Sequence, residues 1–163
     1  SLRYLNPRTN RYENAYWLKE NNLWHQNGIH IMSGACGSGK SSLMQSLIAS
    51  KKKESRGYRG CFDTVMVCLP SVSSHSNKND PFEELSHKYE DFDLAFLEKV
   101  EDIATQNSLD GKDTLCIIDD AGSRLRDSKK ISDTLLNLVL KHRHFRLSIF
   151  LLVQDFILLS PMI

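Results

Sequence analysis

Four short apolar runs punctuate the chain, and a turn or a helix-patterned stretch follows each of the first three. Ile29-His30-Ile31-Met32 runs into Ser33-Gly34, after which Ser41 to Lys53 places Leu43, Leu47 and Ile48 at helical spacing. Thr64 to Leu69 is rich in β-branched residues and is stopped by Pro70, so it reads as a second strand, and Ser71 to Asp80 as a polar loop. Pro81 to Gln106 carries Phe92, Phe96, Val100 and Ile103 at helical spacing and predicts one or two helices, closed by the turn-forming stretch from Asn107 to Gly111. Thr114 to Ile118 is apolar without interruption, the pattern of a strand covered on both faces. Ile131 to His142, with Leu135, Leu138 and Val139, predicts a helix, and Leu147 to Val153 a fourth strand. Ahead of these, residues 1–27 form a lead-in whose middle (Tyr12, Tyr16, Trp17, Leu18) is compatible with a short helix.

Strands alternating with helices imply an α/β fold, a parallel sheet with helices on both faces. A length of 163 residues suits one domain, 1–163. Because the chain opens at Ser1 and stops just after the apolar Leu158-Leu159, it is also compatible with a piece truncated at its C-terminus. Composition changes little: 40% hydrophobic and 25% charged residues exclude a disordered or fibrous chain. A net charge of +1 gives no standing field toward nucleic acid, so any such contact must come from a local patch or from assembly. The four cysteines lack metal or disulfide spacing, and Cys68 and Cys116 fall in strand-like runs as small hydrophobes, which fits a reduced, cytoplasmic setting. No membrane span is expected, since the longest apolar candidate, Leu147 to Leu159, contains Gln154 and Asp155.

The chemistry is concentrated where the pattern changes. Gly34-Ala35-Cys36-Gly37-Ser38-Gly39-Lys40-Ser41 fits G-x-x-x-x-G-K-[ST] without a mismatch, between a strand-like and a helix-like segment. Gly34, Gly37 and Gly39 let the backbone curl so that N–H groups, including that of Ser38, face phosphate oxygens at a helix N-terminus. Lys40 would reach the β- and γ-phosphates, Ser41 would ligate Mg²⁺ and Ser42 would lie beside the α-phosphate. Ile117-Ile118-Asp119-Asp120 puts two carboxylates at the end of a buried strand. Asp119 suits Mg²⁺ through its water shell, and Asp120 suits activation of the attacking water. Gln154, next after the fourth strand, is placed to sense the γ-phosphate. Basic clusters follow the loop helix (Lys51 to Lys53, Arg56, Arg59), follow the acidic pair (Arg124, Arg126, Lys129, Lys130) and precede the last strand (Lys141 to Arg146). Such runs are more often solvated faces than binding sites. From the last cluster Arg143 is the candidate to enter a neighbouring subunit's site and offset transition-state charge.

The order of Gly34–Ser41, Val67-Cys68-Leu69-Pro70-Ser71 with Asp80-Pro81-Phe82, Ile117-Ile118-Asp119-Asp120, Arg143-His144 and Leu147-Ser148-Ile149 running into Gln154 resembles the genome-packaging ATPases of poxviruses and other large DNA viruses, in the FtsK/HerA group. The resemblance implies a RecA-like P-loop NTPase sheet with a strand inserted between the loop strand and the acidic-pair strand. It also implies ATP and Mg²⁺ as cofactors, a homo-oligomeric ring, a capsid or portal-type partner and translocation of double-stranded DNA, in host-cell cytoplasm or virion. It gives Lys40 and Ser41 to nucleotide and Mg²⁺, Asp119 to Mg²⁺, Asp120 to water activation and Gln154 to sensing. The family's pattern continues past Ile163 into a further strand with basic residues. Two other functions remain open on the sequence: an assembly module that binds ATP without moving DNA, and a nucleoside or nucleotide kinase.

Overall fold

The computed structural model describes residues 3–6, 11–14, 27–35, 38–40, 43–44, 62–69 and 87–154. At the N-terminus β1 (Arg3–Asn6) and β2 (Arg11–Asn14) pair antiparallel, Arg3 opposite Asn14. Tyr12, expected in a short helix, therefore lies in a strand. Pro7 and Asn10, both turn formers, sit between the two strands, and local antiparallel pairing overrides a helical spacing that rested on a few aromatics. Tyr16, Trp17 and Leu18 lie outside the described residues.

The main sheet joins β3 (Ile29–Ser33), β4 (Thr64–Cys68), β5 (His87–Tyr89), β6 (Thr114–Asp119) and β7 (Leu147–Val153) in the order β3-β7-β6-β4-β5, every pair parallel. The four expected strands are present, and the last in sequence stands between the loop strand and the acidic-pair strand. All residues of β6 and β7 are buried, which is why both read as unbroken apolar runs. The fifth strand, β5, falls in the stretch from which only helices were expected. His87-Lys88-Tyr89 has no apolar alternation, and its strand form comes from pairing with Met66 to Cys68 of β4.

Alternate strand residues feed two cores. One face, with Met66, Cys68, Cys116, Ile118, Leu147, Ile149 and Leu151, packs against α1 (Leu94–Leu109), α2 (Gly122–Asp127) and α3 (Lys129–Lys141). The opposite face, with Val67, Leu115, Ile117, Phe150 and Leu152, is covered by Met44 from the helical segment that follows the glycine-rich loop. Helices thus lie on both faces. Helix α1 begins at Asp93, whose carboxylate accepts the Phe96 N–H at 2.8 Å, and runs to Leu109, three residues beyond the expected end. Helix α2 was not anticipated, since its six residues are too few to show a period and only Gly122 and Leu125 are buried.

Two polar groups in the buried strands have specific partners. The Thr114 hydroxyl accepts from the Asn107 side-chain amide at 2.8 Å, and the same amide reaches the Thr64 hydroxyl at 2.9 Å, tying α1 to the starts of β4 and β6. Ser148 accepts the Asn27 N–H at 2.7 Å. Burial pushes the Cys68 thiol up to about 12 and raises that of Cys116, so both remain protonated packing groups, as their sequence context implied.

The helix α3 provides an internal comparison of buried and exposed positions. Leu135 is fully buried whereas Leu140 is 71% exposed. Leu135→Ala is expected to lower unfolding free energy in urea by about 2–5 kcal/mol, whereas Leu140→Ala should stay within about 0.5 kcal/mol of the parent. Equal losses would contradict this placement of the helix.

Candidate active site

Parallel strands deliver their C-terminal ends to one edge of the sheet, and the sequence motifs sit at those ends. The register pairs Met32 with Leu152 and Leu152 with Asp119, and Ser33 with Val153. Gly34 then donates its N–H to the Val153 carbonyl at 3.2 Å, so the glycine-rich loop departs from beside the strand that leads into Gln154. With adjacent strands about 4.8 Å apart, the end of β3 and Asp119 stand about 10 Å from each other across β7.

The loop closes on itself through Ser38 N–H to the Ala35 carbonyl at 3.1 Å and becomes helical at Lys40, with Leu43 N–H donating to the Gly39 carbonyl at 2.8 Å. Gly39 has φ +89°, a left-handed conformation that favours glycine, and a Cβ at Gly34 would meet the Ser38 hydroxyl at 2.7 Å. The Lys40 ammonium donates to the Gly34 carbonyl, to the Ala35 carbonyl at 2.9 Å and to the Ser38 hydroxyl at 3.4 Å. It is thereby folded over the mouth of the loop. Gly37, Ser41 and Ser42 lie outside the described residues.

Asp119 is 7% exposed at the end of β6, and Asp120 is exposed in the turn that follows, with φ +53°. That left-handed turn, which aspartate tolerates better than most residues, ends the strand and leaves one carboxylate buried and its neighbour exposed. Partial burial and the charge of Asp119 raise the Asp120 pKa, while the Lys40 ammonium pulls it down. The coupling connects the loop cation electrostatically to the acidic pair. Gln154 is exposed immediately beyond Val153. Lys40, Asp119, Asp120 and Gln154 are therefore gathered at one edge.

Arg143 is not. It is exposed in the turn between α3 and β7, at the opposite end of the sheet, and the length of β7 alone separates it from the loop by about 20 Å. Contact with a phosphate in its own chain is excluded. Its neighbour Arg146 is a structural residue: its guanidinium forms a two-point pair with Asp113 at 3.0 and 3.1 Å, which raises its pKa, and its carbonyl accepts the Thr114 N–H. No local signal marks this pair, because the partners are 33 residues apart.

The donor set suits Mg²⁺, a hard cation that takes few protein carboxylates and completes its shell with phosphate and water. Asp119 supplies one carboxylate at the strand end, and among the described residues no group of three His, Cys, Asp or Glu side chains forms a protein cage. Among those residues, too, no helix is long and apolar enough to cross a membrane.

A family model described as "Poxvirus A32 protein" matches residues 17–160. No curated protein sequence matches the chain. Among solved structures, the DNA-packaging ATPase B204 from Sulfolobus Turreted Icosahedral Virus superposes with a TM-score of 0.60 at 18% identity, over 85% of this chain and 71% of that one. The genome packaging NTPase B204 from Sulfolobus turreted icosahedral virus 2, in complex with AMP, gives a TM-score of 0.48 at 18% identity, over 78% and 65%. The first likeness establishes the expected P-loop NTPase fold, and the strand order supplies the inserted strand.

The raised Asp120 pKa has a direct consequence for stability. The fold disfavours the ionised carboxylate, so ionisation weakens the folded state above that raised pKa, and the penalty vanishes once pH falls below the ordinary carboxylate value. Asp120→Asn should therefore raise the melting temperature at neutral pH, with the gain shrinking toward zero in acid. A variant less stable than the parent at neutral pH would contradict the assignment.

Proposed function

Because the chain belongs to the poxvirus A32 protein family, we propose that it is a Mg²⁺-dependent ATPase of the genome-packaging type, working in a homo-oligomeric ring to move double-stranded DNA into a capsid. The observation that carries this reading is the convergence of Lys40, Asp119, Asp120 and Gln154 on one sheet edge. Assignment to the FtsK/HerA group rests on the order of motifs, and the capsid or portal-type partner and the host-cell cytoplasm or virion setting on the family.

The reaction is in-line attack of water on the γ-phosphate, for which the protein supplies position and charge. The loop N–H groups hold the phosphate chain, with Gly34, Gly37, Ser38 and Gly39 shaping the cradle and Ser42 beside the α-phosphate. Lys40 exchanges its bonds to the Gly34 and Ala35 carbonyls for β- and γ-phosphate oxygens, moving an existing cation rather than recruiting one. Ser41 and Asp119 would hold Mg²⁺, which would supply positive charge to offset that of the phosphates. Asp120, its pKa raised toward that of a better proton acceptor, orients and deprotonates the water. Gln154, one residue past the carbonyl that anchors Gly34, reports the γ-phosphate to β7. Arg143 acts on the site of the next subunit, a role compatible with its exposure at the far end of the sheet from the loop of its own chain.

A kinase would need an acceptor pocket beside the loop. Among the described residues, a cavity of about 360 Å³ lined by Thr64, His87, Lys99, Asp102 and Asn107 opens at the N-terminal ends of β4 and β5, away from the loop.

Lys40→Ala should reduce turnover by about 10²–10³-fold or abolish it, with loss of nucleotide affinity in a fluorescent-analogue titration. Asp120→Asn should slow phosphate release by about 10²–10⁴-fold while binding persists; normal turnover would remove Asp120 from its role. Duplex DNA should stimulate phosphate release, and phosphate transfer to a nucleoside with little hydrolysis would overturn the motor reading. Arg143→Ala should lose about 10³–10⁵ in rate, and mixing it with Lys40→Ala should restore activity, since mixed rings pair an intact Arg143 with an intact loop. Absence of restoration would argue against action between subunits.

A further inference from the structure

The basic cluster after the acidic pair is not used by the hydrolytic reading, and the structure gives it a defined form. Arg124 and Arg126 are exposed on α2, Lys129 and Lys130 on the first turn of α3, four cations within seven residues. Leu125, between the two arginines, and Ile131, just after Lys130, are buried in the core, fixing both helices while the charged side chains face solvent. The corner is braced by hydrogen bonds: Leu125 N–H to the Ala121 carbonyl, Ser128 N–H to the Arg124 carbonyl, Ser132 N–H to the Ser128 carbonyl, each 3.1 Å, and Ile131 N–H to the Ser128 hydroxyl at 3.3 Å. Asp127 is the acidic residue inside this window, and its pair with Arg126 at 3.2 Å leaves both side chains more than half exposed. Such a pair neutralises little.

Local stability does not explain the charges. Lys129 and Lys130 stand at the positive end of the α3 dipole, with no acidic residue in that turn, where cations are unfavourable. A rigid exposed corner with concentrated positive charge is complemented by a polyanion. Its place in the chain matters too, since only the buried Ala121 and Gly122 separate Asp120 from the exposed part of α2. By contrast, the cluster before β7 lies at the other end of the sheet and has Arg146 committed to Asp113.

We propose that the α2–α3 corner is the surface through which this protein holds duplex DNA, by sequence-independent contacts of Arg124, Arg126, Lys129 and Lys130 with backbone phosphates. The inference rests on the motor reading and adds to it the place where DNA meets the chain. Two buried residues, Ala121 and Gly122, join Asp120 to the exposed part of α2, which places the cations one short step from the chemistry.

The test is fluorescence anisotropy with random-sequence duplex DNA over a range of salt, using the full-length protein with bound nucleotide, the fourfold variant Arg124→Gln, Arg126→Gln, Lys129→Gln, Lys130→Gln, and Lys112→Gln with Lys141→Gln as a control at the opposite end. The fourfold variant should bind DNA more weakly, and its slope of log affinity against log salt should be shallower by up to about 3.6, at about 0.9 for each phosphate that is no longer neutralised. It should retain nucleotide binding and a parental circular-dichroism spectrum, and the control should keep the parental slope. If the parent binds DNA while the fourfold variant keeps its slope, or the control loses it, this surface is wrong and the motor reading stands. A parent indifferent to DNA at every salt would overturn both and redirect the corner toward an acidic protein partner.

Discussion

The hydrogen bond from the Gly34 N–H to the Val153 carbonyl joins the glycine-rich loop to a strand that arrives more than a hundred residues later. It is possible because β7 inserts between β3 and β6, pairing Ser33 with Val153 on one side and Asp119 with Leu152 on the other. One buried strand therefore sets the spacing between the phosphate cradle and the carboxylates. A shift in its register by one residue would turn its inward side chains to the other face and carry Gln154 out of line. Burial of all seven β7 residues, with helices over both faces of the sheet, makes such a shift costly.

That rigidity supports a site under electrostatic tension. Asp119 and Asp120 are adjacent carboxylates, and Asp120 feels both partial burial and its neighbour's charge. The Lys40 ammonium offsets part of this effect while engaged with the loop carbonyls. The left-handed backbone at Asp120 completes an arrangement that a stability-maximising sequence would avoid. Left-handed backbone and unfavourable charge coincide at Asp120, whereas the left-handed Asn27 and Arg146 stand at the other end of the sheet.

The other end of the sheet is a structural anchor. Asp113 receives the Arg146 guanidinium, Asp63 accepts the Asp113 N–H at 2.8 Å, and Asn107 connects Thr64 with Thr114. These contacts fix the starts of β4, β6 and β7 at the end of the sheet away from the loop. The two basic clusters separated by the sheet consequently differ in character, one partly absorbed into this anchor and one exposed beside the acidic pair.

The four principal strands, α1, α3 and the phosphate loop are legible along the chain, because each is written in local periodicity or in contiguous residues whose backbone requirements are specific. The acidic pair is legible for the same reason: an apolar run ending in two carboxylates is visible without knowledge of the fold. Other features depend on contacts between distant segments. His87-Lys88-Tyr89 becomes a strand only beside β4, α2 is too short to show a period, and Tyr12 pairs in a hairpin despite its spacing. Folding also distinguishes Arg146, paired with a carboxylate 33 residues away, from Arg143, exposed at the far end of the sheet. Charge reads alike in both arginines along the chain. What separates them is which end of a parallel sheet they reach and which partner is there, a property of strand order rather than of local sequence.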